Sequence, residues 1–79
     1  MKHNRLCDVA VGQTARIACL TSPAGIRRRL LDVGFTEGTS VTCLFAGPSG
    51  EPRAYRIRGA VMALRHEDAK TIIMDGNVT

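Results

Sequence analysis

The residues able to do chemistry gather at the two ends of the chain. His3, Cys7 and Asp8 lie near the start, and His66, Glu67 and Asp68 near the end. Imidazole, thiolate and carboxylate are all metal-ligand types, but a dedicated site takes three or four that converge. The favoured reading of both groups is solvated side chains on the surface, with no cofactor required. His3, Cys7, His66 and Glu67 stand as candidates for a weak surface divalent-metal site, one that could bridge two chains. Nucleophilic catalysis has no better footing. Cys7, His3 and His66 are the only nucleophile or base candidates, and no spacing ties them together. The chain also has no G-x-x-x-x-G-K-[ST] phosphate loop, and the Gly47–Gly50 segment is too short and follows the wrong element. The sequence therefore reads as non-enzymatic and unable to bind GTP itself.

Cysteine usage points the same way. Three cysteines occur, Cys7, Cys19 and Cys43, with no C-x-x-C pair, which leaves neither a zinc ribbon nor a thioredoxin-type site. Cys19 and Cys43 sit in apolar, strand-like runs and read as buried, reduced thiols, a state that fits the cytosol. The first residues lack the apolar region of a signal peptide, and no stretch approaches the ~20 apolar residues of a membrane span. A cytoplasmic protein is expected, peripheral to a membrane only through a partner.

These residues must be positioned by a small scaffold. The 79 residues suffice for one domain, with its core over about 6–75. Hydrophobic residues are 44% of the chain, with one tyrosine, two phenylalanines and no tryptophan, so the core must be mostly aliphatic. Residues 14–20 alternate as a strand, with Ala15, Ile17 and Cys19 on one face. Ser22-Pro23 reads as an N-cap followed by the first helical residue, and Gly34 as the residue that ends the helix. The helix over about 23–33 carries an Ile26–Leu30–Val33 stripe, and Leu31 lies off that stripe beside Arg27. Residues 39–45 form a second strand, with Val41, Cys43 and Phe45 on one face. A glycine- and proline-rich loop follows over 46–52. Strands are expected at 53–58, 60–65 and 71–74, with a tight turn at Gly59 and a helical turn over about 66–70. Residues 75–79 read as a frayed tail. The fold class is mainly β: a small barrel of about five strands, closed so that no edge is exposed, with the helix capping one end.

The formal net charge of +4 rests on nine arginines and two lysines. Arg16, Arg53, Arg56 and Arg58 offer an alternative function, a basic face for RNA or single-stranded nucleic acid. Such platforms interleave exposed aromatics with the cations. Only Tyr55 is available for that role, and its strand parity sends it inward, so no nucleic-acid partner is expected.

Taken in order, several segments resemble one family. They are Leu6-Cys-Asp-Val, Gly12-Gln-Thr-Ala-Arg-Ile17, Arg28-Arg-Leu-Leu-Asp-Val-Gly34-Phe, Glu37-Gly-Thr-Ser-Val41, Ala46-Gly-Pro-Ser-Gly-Glu-Pro52, Met62-Ala-Leu-Arg and Glu67-Asp-Ala69. Over about residues 6–74 the chain is similar to the FeoA family of small bacterial proteins from ferrous-iron uptake operons. The resemblance implies an SH3-like barrel and an accessory role toward FeoB, a membrane transporter with a guanine-nucleotide-binding domain. It implies an adaptor, with no catalytic residue to carry over. A related domain ends iron-dependent transcription regulators, but this chain has no room for their DNA-binding part. The family commonly places a proline directly after the alanine at position 46, where this sequence has Gly47. SH3-like barrels bind through grooves between loops, which nominates Arg27 and Leu31 on the helix with Pro48, Pro52 and Tyr55 around the long loop. A weak homo-oligomer is also compatible.

Overall fold

The computed structural model describes residues 4–77. In chain order the elements are β1 (Asn4–Arg5), a 3₁₀ turn (Leu6–Asp8), β2 (Thr14–Leu20), α1 (Ala24–Val33), β3 (Ser40–Ala46), β4 (Arg53–Ile57), β5 (Ala60–Leu64), α2 (His66–Ala69) and β6 (Ile72–Asn77). The strands form one six-stranded antiparallel sheet in the order β1-β6-β2-β3-β4-β5. The expected aliphatic core is present. Leu6, Ile17, Leu30, Phe35, Val41, Ile57, Ile72 and Met74 are all buried, and Ile26 and Val33 pack against them from α1. Cys43 is buried with them, whereas Cys19, near the end of β2, is only half-buried.

The structure corrects three expectations about the sheet. Among the described residues there are six strands where about five are expected, because Asn4–Arg5 pairs with Met74 and Ile73. The chain after residue 74 is not frayed as far as it is described. β6 runs to Asn77, which pairs with Ala15 across β2, while residues 78 and 79 lie outside the described residues. Finally, among the described residues the sheet curls without closing, so β1 and β5 remain as edges.

Helix α1 shows how local chemistry sets the frame. Ser22 does not cap it; the cap position is Pro23, and the first helical bond is donated by the Arg27 amide to the Pro23 carbonyl (2.8 Å). The Ser22 hydroxyl is buried instead against Thr71, 2.6 Å from its Oγ1. The Thr21 amide donates to the Thr71 carbonyl at 2.7 Å, so the entry to α1 is tied to the start of β6. The far end is a Schellman motif. The Gly34 amide donates to Leu31 O (3.1 Å), and the Phe35 amide reaches back to Leu30 O (3.0 Å). Gly34 has φ +125°, and the accompanying Leu30 and Phe35 side chains are both in the core.

Two features of the β3–β4–β5 meander matter for function. The register slips between Cys43 and Phe45, a β-bulge that moves Phe45 off the face shared by Val41 and Cys43. Phe45 is therefore 60% exposed rather than buried. The β4–β5 turn, Arg58-Gly59, has positive φ at both residues (50° and 81°), the signature of a two-residue type I′ hairpin.

Candidate partner-binding surface

Four of the five candidate binding residues are on the surface, in two separate places, and the fifth is in the core. Arg27 and Leu31 are one helical turn apart on the outward side of α1. With Ala24, Arg28 and Asp32 they line an open depression of about 480 Å³. Every lining residue comes from the one helix, so the depression has no opposite wall and suits an apposed surface better than a small ligand. Leu31 is 39% exposed, an apolar centre flanked by two guanidinium groups and one carboxylate.

Pro48 and Pro52 are exposed in the 47–52 loop between β3 and β4 and do not line this depression. The loop is folded on itself: the Gly47 amide donates to Pro52 O (2.9 Å) and the Gly50 amide to Gly47 O (2.9 Å). A Cβ at position 47 would run into the Glu51 carbonyl, so the fold of this loop calls for glycine there. The Glu51–Pro52 peptide is cis.

Tyr55 does not belong to a binding groove. It is fully buried, on the inward face of β4 between Cys43 of β3 and Met62 of β5. Its hydroxyl has no hydrogen-bond partner among the described residues. Burial, followed by the neighbouring Cys43, pushes its pKa up to about 12, while the adjacent Arg53 pulls the other way. Arg53 is itself committed to structure, donating from one Nη to the Val9 carbonyl (2.6 Å) and to Cys43 Sγ (3.7 Å).

His3 lies outside the described residues. Of the other metal candidates, Cys7 is half-buried, and its thiol is pushed up first by burial and then by Asp8, which disfavours the thiolate a metal would need. Asp8 accepts a hydrogen bond from the Arg5 amide (3.2 Å). His66 and Glu67 are exposed at the start of α2, where the His66 amide donates to Glu51 Oε1 (2.8 Å). Among the described residues no group of three or more His, Cys, Asp or Glu side chains comes together. Nor is any helix among them long and apolar enough to cross a membrane.

Comparison with known proteins decides the family. The model of the FeoA domain matches residues 4–75. The chain belongs to the FeoA family. A curated relative from Porphyromonas gingivalis, an Fe(2+) transport protein A/Fe(2+) transporter FeoB fusion protein, is 34% identical over 68 residues. The match covers 86% of this chain but only 8% of that protein. The solution structure of a FeoA-like protein from Clostridium acetobutylicum superposes with a TM-score of 0.85 at 28% identity, covering 95% of this chain and 87% of the other. The crystal structure of Stenotrophomonas maltophilia FeoA complexed with zinc, a prokaryotic SH3 domain protein, superposes with a TM-score of 0.82 at 28% identity, covering 90% and 88%. The curled sheet with its capping helix is thus an SH3-like fold, and the curated relative that the chain matches is a ferrous iron transport protein.

Residue reasoning misses Phe45 as a surface residue. The signal available is the unbroken apolar run Leu44-Phe45-Ala46, which breaks alternation just before the loop. Val61 is 63% exposed on β5, a strand whose apolar residues occupy both faces.

Proposed function

We propose that this chain is a non-enzymatic adaptor of bacterial ferrous iron uptake that acts from the cytoplasmic side by binding and modulating FeoB. The observation carrying this reading is the Porphyromonas gingivalis protein, in which a FeoA part and FeoB share one chain. Covalent linkage holds two modules at an effective concentration that short flexible linkers bring to about millimolar. A FeoA chain not joined to FeoB must make up that difference with its own affinity. The outward side of α1 is suited to such binding. It has an apolar centre at Leu31 and cationic flanks at Arg27 and Arg28, and neither Arg27 nor Leu31 has a core duty. Pro48 and Pro52 offer a second, rigid contact.

A pull-down tests the proposal. The tagged chain is mixed with the nucleotide-binding domain of the cognate FeoB and, separately, with the detergent-solubilised full-length transporter, at an ionic strength of about 0.15 M. Capture by either supports the adaptor reading, and the comparison locates the contact. Failure to capture both, with the chain shown to be folded, removes FeoB as the partner.

A further inference from the structure

We propose that the open edge of β5, with the exposed face formed by Phe45, Val61 and Ala63, accepts an extended acidic segment of another polypeptide as a seventh strand. This surface uses different elements from the α1 depression, and it stands whether or not FeoB is the partner.

The edge is open in the specific sense that its backbone groups are available. In a two-residue hairpin the closing pair exchanges both hydrogen bonds, here Ile57 with Ala60. Alternation then assigns Ala60, Met62 and Leu64 to β4 and turns the amides and carbonyls of Val61 and Ala63 outward. Natural edges are blunted by charge, proline, bulges or shortness. β1 is blunted in this way, being two exposed residues, one of them arginine. β5 is Ala-Val-Met-Ala-Leu, with no charge and no proline.

Apolar side chains stand beside those free backbone groups. Phe45, Ala54 and Ala63 align across β3, β4 and β5, and Arg56 and Val61 lie in the next row. Phe45 and Val61 are 60% and 63% exposed. Burying a Phe or Val side chain takes apolar surface out of water and is favourable. The bulge at Cys43–Phe45 forgoes most of that for Phe45 in the free chain.

Charge selects the guest. β2 through β5 contain no Asp or Glu, while Arg16 and Arg56 project from the outer face and Arg58 and Arg65 flank β5. Glu51, the carboxylate nearest in sequence to β4, is engaged by the His66 amide. Pairing β5 with β5 of a second copy would bring the Arg56, Arg58 and Arg65 side chains of both chains to one seam, which disfavours self-association. An acidic strand meets no such repulsion. Glu67 and Asp68 follow the Arg65 end, so the guest's acidic residues belong at the Arg56–Arg58 end, which in antiparallel pairing is the guest's C-terminal end.

The test is an NMR titration of the labelled full chain with the blocked peptide Thr-Val-Thr-Val-Glu-Glu, up to about 1 mM, the weak limit of specific recognition. Expected are shifts centred on Val61, Ala63 and Phe45, slower exchange of the Val61 and Ala63 amides, and at least about threefold weaker binding when lysines replace the glutamates. Ala63→Pro removes an outward donor at a position where an edge strand tolerates proline, and should weaken binding about tenfold, the worth of one or two hydrogen bonds. If Ala63→Pro does not fold, Val61→Ser, which removes the apolar anchor, adds no charge and leaves the backbone free, should weaken binding by a similar factor. Any of four results overturns the proposal: no shifts at these residues, shifts confined to α1, equal binding of the lysine peptide, or unchanged binding by a folded Ala63→Pro or Val61→Ser variant. Two further results also overturn it: Val61 and Ala63 amides protected in a peptide-free dimer, or tighter binding of a thymidine decamer than of the acidic peptide.

Discussion

At the scale of single residues, the most informative side chain is Tyr55, because its fold role and its chemistry conflict. The ring fills the centre of the core, yet its hydroxyl is buried with no partner among the described residues. An unsatisfied buried polar group costs about 1–3 kcal/mol. Tyr55→Phe keeps the ring and removes the orphan, so urea denaturation should show unchanged or higher stability, by up to about 1–3 kcal/mol. A marked loss would mean that the hydroxyl is satisfied in solution, by water or by Arg53. The same residue sets an alkaline limit. With a folded pKa of about 12 against about 10 when unfolded, the unfolded chain loses its proton first, and stability should fall as pH rises from about 10 to about 12. Cys7, also raised above the ordinary thiol value, acts with the same sign from a lower pH. Tyr55→Phe should remove the upper part of that decline and Cys7→Ser the lower part. On the surface the expectation is opposite in kind. Leu31→Ala and Arg27→Glu should weaken FeoB capture while changing stability by no more than about 0.5 kcal/mol, since neither side chain is in the core. Parallel loss of folding would reassign them as structural.

At the scale of elements, the C-terminal end of α1 and the 47–52 loop depend on glycine for different reasons. Gly34 combines φ +125° with a neighbour: a Cβ there would stand 2.9 Å from Arg58 Cδ. Gly34→Ala should cost about 1–3 kcal/mol through backbone strain. Gly47→Ala should cost a similar amount, about 1–3 kcal/mol, by pushing on the Glu51 carbonyl. Gly25, in the first turn of α1 with open space where a Cβ would be, is the control, and Gly25→Ala should stabilise by up to about 1 kcal/mol. Thermal unfolding of the three variants distinguishes these mechanisms from a general intolerance of substitution. The same elements mark what is legible in the sequence. α1 is readable because Pro23, the Ile26–Leu30–Val33 stripe and Gly34 are local signals that agree, and β2 is readable from alternation alone. β1 is not, because two residues carry no period and exist as a strand only through Met74 and Ile73. Ser22 looks like a cap because its alternative partner, Thr71, is 49 positions away. Phe45 is misplaced because one bulge inverts the parity on which inward and outward assignments rest. In the candidate site, Arg27 and Leu31 follow from helical angle, a local quantity. The β5 edge requires knowing which strands remain unpaired, which is a property of the whole sheet.

At the scale of the whole molecule, charge and topology act together. The chain carries +4, its four central-to-edge strands contain no carboxylate, and both proposed surfaces present an apolar residue between guanidinium groups. Exposed charges of this kind steer encounter more than they hold a complex together, because water and salt screen them over about 8–10 Å at physiological ionic strength. The apolar centres, Leu31 on α1 and Phe45 with Val61 on the sheet, are screened by neither. Stopped-flow or surface-plasmon measurements with the FeoB nucleotide-binding domain should therefore show an association rate that falls steeply as salt rises, with a dissociation rate that barely changes. Arg27→Glu should flatten the salt dependence of association, whereas Leu31→Ala should leave it intact and speed dissociation. If association is indifferent to salt, the arginine-flanked surfaces are not where the partner lands. If dissociation carries the whole salt effect, the contacts that persist are ionic, and Leu31 is not the anchor.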